Sequence, residues 1–445
     1  MTFSRSSFGR GQRAGHRGAP GGHDFRRTPA ASLPKPEHSQ RQIESIAAAP
    51  ALTEDFDDKI RIENVEYVTS FNWKETRDPT IIVPGKPPRW QPPSSAQSLH
   101  EDGGIYYRDP NSARFPSYPT EPAIRAIRER IPDFDLSEID VFGCGNTVGS
   151  LLSFARDEER TFRFGVESIG SSLFLVRKTN TPRETIEDVR GYGHTFPEAY
   201  TTWARDVRGS ASHQRVIKYD FAGLKCFIRS ESDGYLPDLV DHNKSTSEQK
   251  HEDGDDPLSD TNRLMALALG LQVPSTAIDL TVQHAGEPTP QQALFDLKTR
   301  ALKTKRAGDI SVDDFLHRMW VNQTPNFILA FHTYGKFENN NIHIVDVRNK
   351  VNEWEAQNAT MLSKLGGLLH KLINVATQNG ESRFEVRRVG KGPLQLWSEV
   401  PQWSALSPGL KALWGVKDRH ETRALQAEQN KLVHEDDEDA DYLKF

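Results

Sequence analysis

The stretch "QQALFDLKTRALKTKR", residues 291–306, decides how the chain is read. Asp296, one apolar residue and Lys298 close a short apolar run, and Arg300, Lys303, Lys305 and Arg306 follow. On a strand, residues two apart share a face. Asp296 and Lys298 therefore point one way, while Phe295 and Leu297 point the other. Such a carboxylate–lysine pair is either the working end of a metal-dependent phosphodiesterase or the charged face of an ordinary sheet. A second fragment, "IRSESDGYL" (228–236), sets Glu231 and Asp233 at the same spacing. If the two strands neighbour each other, three carboxylates and a lysine meet in one pocket. Oxygen ligands of this kind suit Mg²⁺ or Mn²⁺, which activate water and offset charge on an attacked phosphate. Lys298 would position that water or neutralise developing charge.

Outward from these fragments the pattern is mixed. "KIRIENVEYVTSFNW" (59–73) alternates as a half-buried strand, and "TIIVPGKPPRWQPP" (80–93) is a strand followed by a proline-rich crossing. "TFRFGVESIGSSLFLVRK" (161–178), "RVIKYDFAGLKCFIRSESDGYL" (215–236) and "NFILAFHTYGKFENNNIHIVDVR" (326–348) each read as two strands about a glycine-containing turn. "STAIDLTVQHAGEPTPQQALFDLKTR" (275–300) reads as two strands about Gly286-Glu287-Pro288. Helices are expected at 121–131 with Thr120 as cap, at 149–156, at 261–271, and at 311–320, where Ser311 and Asp314 form a capping box. "ATMLSKLGGLLHKLINVATQNG" (359–380) places Leu362, Leu365, Leu369, Leu372 and Ile373 on one helical stripe. The expected fold class is α+β, with largely antiparallel mixed sheets flanked by helices.

The 445 residues carry 36% hydrophobic side chains, a net charge of -6 and a mean hydropathy of -0.65, which point to solvated segments beside a core. Residues 1–57, rich in Arg, Gly, Ser and Pro, are expected to be a disordered tail whose Arg-Gly pairs suit weak RNA contact or mere solubility. One domain spans 58–425, with an acidic insertion at about 238–260, and 426–445 is an acidic tail. Cys144 and Cys226 make neither a disulfide framework nor a four-cysteine zinc site. No run is long and apolar enough to span a bilayer. A nuclear or cytoplasmic protein is expected; a mitochondrial presequence is the lesser alternative, because glycines interrupt the arginine-rich start. "FGCGNTVG" (142–149) lacks the lysine of a phosphate-binding loop and reads as a turn before a helix. The aspartate-rich patches at 251–256 and 434–441 lie in no long apolar helix, which excludes an all-helical diphosphate-binding enzyme. The cations behind Asp296, with Arg89, Arg108 and Arg114 near aromatic residues, favour single-stranded RNA over duplex DNA.

Glu231-Ser232-Asp233, then Asp296-Leu297-Lys298-Thr299, then Met319-Trp320-Val321-Asn322 before an apolar strand resemble the motifs of the DXO-type RNA 5′-end decapping exonucleases, a branch of the PD-(D/E)XK nuclease fold. "GYGHTFPEAY" (191–200) resembles that family's segment carrying a further metal-binding glutamate. The resemblance implies a metal-dependent hydrolase of RNA 5′ ends. Glu198, Glu231, Asp233 and Asp296 would hold Mg²⁺ or Mn²⁺, and Glu231, Asp233, Asp296 and Lys298 would act in catalysis. Asn322 and Gln323 would contact substrate, joined by Arg300 and Lys303 from the basic run. His332 stands where the family has an arginine, and an exonuclease partner is implied by analogy. Pro197 displaces Glu198 by one position, and "VFGCGNTVG" offers no counterpart to a substrate-binding arginine of the family. A catalytically degenerate relative that binds RNA or a protein is therefore the alternative.

Overall fold

The structure is a computed structural model that describes residues 33, 40–52, 59–240, 279–307, 311–378, 381–398 and 403–414. Among these, eighteen strands form two sheets. The larger runs, in spatial order, β1 (Gln42–Ile46), β18 (Leu394–Ser398), β17 (Arg383–Arg388), β7 (Phe162–Ile169), β8 (Ser172–Arg177), β6 (Val141–Cys144), β11 (Leu224–Ser232), β10 (Ser210–Phe221), β2 (Glu63–Lys74), β3 (Thr80–Gly85) and β13 (Thr281–Gly286). The smaller runs β5 (Gln97–Ser98), β16 (Lys336–Asp346), β15 (Asn326–Thr333), β14 (Leu294–Ala301), β12 (Gly234–Tyr235), β4 (Arg89–Trp90) and β9 (Thr201–Thr202). Most pairs are antiparallel; the parallel pairs join β6 to β8 and β11, β3 to β13, β14 to β15, and β4 to β12. The mixed α+β class read from the pattern is the class observed.

Local chemistry sets the registers. Ala222-Gly223 and Tyr334-Gly335 turn with φ of 56° and 72°, and of 49° and 82°. Two successive positive φ values match the twist of a two-residue hairpin. The first turn closes β10 on β11 and thereby sets Gln214 opposite Glu231.

Each face of the large sheet is covered. Helix α3 (Gly145–Ala155) and helix α8 (Ala359–Gln378) bring Leu151, Leu362, Leu365, Leu369 and Leu372 onto one face. Phe327, Leu329 and Phe331 of β15 join the same cluster, so the small sheet packs there too. Helix α2 (Glu121–Arg130) covers the other face, where Ile124 and Ile127 meet Phe71, Trp73 and Phe227. Burying each such side chain is worth about 1.5–3 kcal/mol. Behind the small sheet, helix α4 (Thr195–Tyr200) packs Phe196 and Tyr200 against Trp90.

Several expectations change. Residues 42–46, assigned from composition to a structureless tail, form β1 against β18, and Ile46 is buried. Thr120 precedes α2 without a capping side-chain hydrogen bond. The expected helix at 261–271, most of the acidic insertion and the acidic tail lie outside the described residues. No helix among the described residues is long and apolar enough to cross a membrane.

Candidate active site

The two acidic fragments meet where the chain passes from one sheet to the other. β11 ends at Ser232 in the large sheet, and β12 starts at Gly234 in the small one, opposite Phe295 of β14. A side chain at Gly234 would lie 2.5 Å from the Phe295 ring and 2.7 Å from the Pro88 carbonyl, so only glycine permits so close a crossing. β11 and β14 are thus not neighbours within one sheet, as the sequence reading supposed; the short β12 joins them. Asp233 sits at the crossing itself, and its Oδ2 accepts a hydrogen bond from the Leu297 amide at 2.7 Å.

Period-two alternation holds on β14. Phe295 and Leu297 enter the cluster behind the small sheet. Asp296 and Lys298 pair in register with Phe327 and Leu329, whose side chains face the large sheet. Asp296 is buried, and its two oxygens differ. Oδ2 accepts from Arg318 Nε at 2.7 Å, whereas Oδ1 is buried with no donor. Arg318 comes from helix α6 (Leu316–Asn322), which packs Leu316, Met319 and Trp320 into the core. The capping box at Ser311 and Asp314 starts the turn leading into α6, as its sequence spacing predicts.

Glu231 has an exposed edge but is otherwise surrounded by protein. That crowding raises its pKa, against the pull of Arg318, a hydrogen bond from Gln214, and the charges of Arg229 and His194. Burial and the Asp296 charge push Asp233 up to about 7, against Lys298 and Arg318. The guanidinium of Arg318 is held charged chiefly by Asp296, with Asp233 and Glu231 contributing. Arg114, on helix α1 (Pro110–Arg114), also lies within the field of Glu231, although burial lowers its pKa. The result is a set of like charges within the field of one arginine, which touches Asp296 directly.

A cavity of about 320 Å³ lies at the C-terminal end of β14; Glu231, Asp233, Asp296 and Lys298 do not line it, but His194 on its wall acts on Glu231 through its charge. Thr299 and Arg300, which follow Lys298, line one wall; Arg190, Tyr192, His194 and His332 line others. Its one carboxylate, Asp102, is engaged by the amides of His194 and Thr195. The cavity is therefore polar and basic. His194 stacks on Tyr106 with ring centroids 3.6 Å apart.

Of the other residues singled out in the sequence, Arg300 lines the cavity, and Lys303 is exposed on helix α5 (Leu302–Ala307). Glu198, the further ligand implied by the resemblance, is exposed on the short helix α4. Asn322 is buried, and a side chain at Gly145 would come within 2.0 Å of its Oδ1. Gln323 ends α6 in the left-handed conformation, with Nε2 donating to the Trp320 carbonyl. Neither lines the cavity. Sequence reasoning missed Arg318, Gln214, Arg229, Arg190 and His194. The one available signal was a charged residue inside the otherwise apolar "FLHRMW" helix.

A family model described as a domain of unknown function, DUF8563, matches residues 61–387. The chain belongs to the DUF8563 family. No curated protein matches it in sequence. Among solved structures, this DUF8563 protein is similar to Rai1 of S. pombe at 11% identity and a TM-score of 0.50, over 81% of this chain and 100% of that one. A second structure of S. pombe Rai1, in complex with 3′-FADP, gives the same figures. Rai1 of Scheffersomyces stipitis matches at 10% identity and a TM-score of 0.51, over 86% of this chain and 99% of that one. At such identities the likeness is one of fold, and at that level the resemblance to DXO-type proteins is borne out.

Proposed function

We propose that this protein is a divalent-metal-dependent hydrolase acting on the 5′ end of single-stranded RNA. The observation that carries the reading is the mutual electrostatic influence of Glu231, Asp233, Asp296 and Lys298 at the sheet junction, with a basic cavity at the end of the same strand, β14. The donor set fits a hard divalent cation. It is all oxygen, Asp296 Oδ1 is buried without a donor, and Asp233 is pushed up to about 7 by burial and then by the Asp296 charge, the second of which a cation would offset. Among the described residues no three metal-ligating side chains already close on one point. Glu231, Asp233 and Asp296 would hold Mg²⁺ or Mn²⁺, and exposed Glu198 is the remaining acidic group from the sequence motif. A bound ion would supply water activation and charge neutralisation at phosphorus.

The rest falls to the chain's own groups. Lys298 orients the attacking water and offsets charge on the phosphate. The cavity, within the roughly 300–1,000 Å³ range of ligand pockets, receives the terminal nucleotide, with Arg190 and Arg300 toward phosphate. Rai1 from S. pombe, of the same fold, has been captured with 3′-FADP, a nucleotide, which supports a nucleotide-sized ligand here. Asn322 and Gln323 would support the site through α6 rather than by touching RNA.

The test is hydrolysis of 5′-monophosphorylated and capped RNA by purified protein with Mn²⁺ or Mg²⁺. Activity should fall at least about 100-fold in Asp233→Ala and Asp296→Ala. The second reading, a binding module without turnover, draws on the Arg318–Asp296 ion pair already seated among the carboxylates. RNA binding with no cleavage in any divalent ion would favour it and overturn the enzyme.

A further inference from the structure

We propose that Arg318 is a built-in competitor for the metal ion: its guanidinium holds the carboxylates together in the metal-free protein and must leave Asp296 when a divalent cation binds. The inference rests on the metal-dependent reading above and adds the regulation of that site.

Three observations support it. Arg318 Nε lies 2.7 Å from Asp296 Oδ2, close enough for its charge to act on Asp233 and Glu231 as well. One cation thus serves the three acidic groups that a metal would need. The two partners differ in freedom, since the Asp296 side chain is 4% exposed and fixed on a central strand, whereas that of Arg318 is 37% exposed. Arginine's long side chain can rotate toward water without moving the helix that carries it. Finally, Asp296 leaves Oδ1 without a donor while Oδ2 is taken, so the arginine satisfies the cluster only in part.

The energetic sense follows from what each state would cost. Three carboxylates crowded at a sheet junction repel one another unless a cation is present. An arginine carried on the adjoining helix supplies that cation at any metal concentration. Removing it without replacement leaves buried charge uncompensated. The same contact taxes the metal, because apparent affinity falls by the fraction of molecules in which the arginine has swung away. The site would then load only when ion concentration, or a phosphate that draws Arg318 outward, tips the exchange. A purely structural arginine predicts the reverse: its loss would loosen the cluster and weaken ion binding.

The experiment is calorimetric titration of the full-length protein with Mn²⁺ in the absence of RNA, paired with thermal melting with and without Mn²⁺. Wild type, Arg318→Met, Arg318→Lys and Asp296→Asn are compared. Arg318→Met should bind Mn²⁺ about tenfold more tightly than wild type. It should also melt lower without the ion and recover more of its stability on adding it. Arg318→Lys, which keeps the charge, should stay near wild type, and Asp296→Asn should lose binding. If Arg318→Met does not fold without metal, Arg318→Gln refolded with and without Mn²⁺ gives the same comparison. Mn²⁺ affinity in Arg318→Met equal to or weaker than wild type overturns the inference alone. Absence of Mn²⁺ binding in wild type and all variants overturns the metal-dependent reading with it.

Discussion

Asp296 has one oxygen saturated by Arg318 and one without a donor, and that asymmetry was invisible in the sequence. Alternation told which way its side chain points, because two-residue periodicity is a local property of a strand. It could not supply the arginine, which sits on a separate helix 22 positions later and pairs only through tertiary packing. A second buried group yields a test independent of the site. His213 is 1% exposed, with Nδ1 2.6 Å from Asn72 Oδ1 and Nε2 unpartnered. Asn72 Nδ2 already donates to the Lys86 carbonyl and to Ser210 Oγ, so its Oδ1 accepts, and Nδ1 of His213 carries the hydrogen. Burial, reinforced by the Arg215 charge, holds the His213 pKa well below the usual range. The unfolded chain therefore takes up a proton that the folded chain refuses. The stabilisation is complete above about pH 6.5 and declines as pH falls, by up to about 1.4 kcal/mol per pH unit. Denaturant unfolding at pH 7.5 and 5.5 should show a loss in wild type larger by about 1 kcal/mol than in His213→Gln. Equal losses in both proteins would refute this assignment.

Secondary elements were the most legible part, since turn glycines, capping residues and apolar stripes act over a few residues. The turns at Gly170, Ala222-Gly223 and Tyr334-Gly335 and helix α8 stand where their patterns put them. Which strands adjoin was less legible, because a two-residue strand such as β12 carries no periodic signal, yet it is what joins β11 to β14. Pro197 was read as displacing Glu198 by one position in an extended segment, whereas both residues lie in the first turn of α4, where proline is tolerated. The Ser311 capping box supports the helix bearing Arg318, and Trp320 Nε1 ties that helix to Glu355 of helix α7 (Arg348–Gln357) at 2.6 Å. Ser311→Ala should lower unfolding free energy by about 1 kcal/mol, measured by urea denaturation. No change would mean that the cap contributes nothing to this helix.

Across the molecule, composition told that part of the chain is solvated but misplaced one border. The run 40–52 lays Gln42–Ile46 against β18. It also donates the Leu52 amide to Ser363 Oγ, and its Pro50 carbonyl passes so close to Gly367 that a side chain there would come within 2.1 Å. A protein starting at Thr53 should therefore melt about 5 °C or more below one starting at Gln40, by calorimetry; coincident melting curves would show the run to be dispensable. A wider consequence attaches to the passage at Asp233. Its acidic groups hang from two walls, Glu231 from β11 and Asp296 from β14, so neither wall alone carries the whole set. Were the smaller wall to detach first on warming, most of the β-structure would persist while the proposed ion site was lost, well before the molecule as a whole came apart.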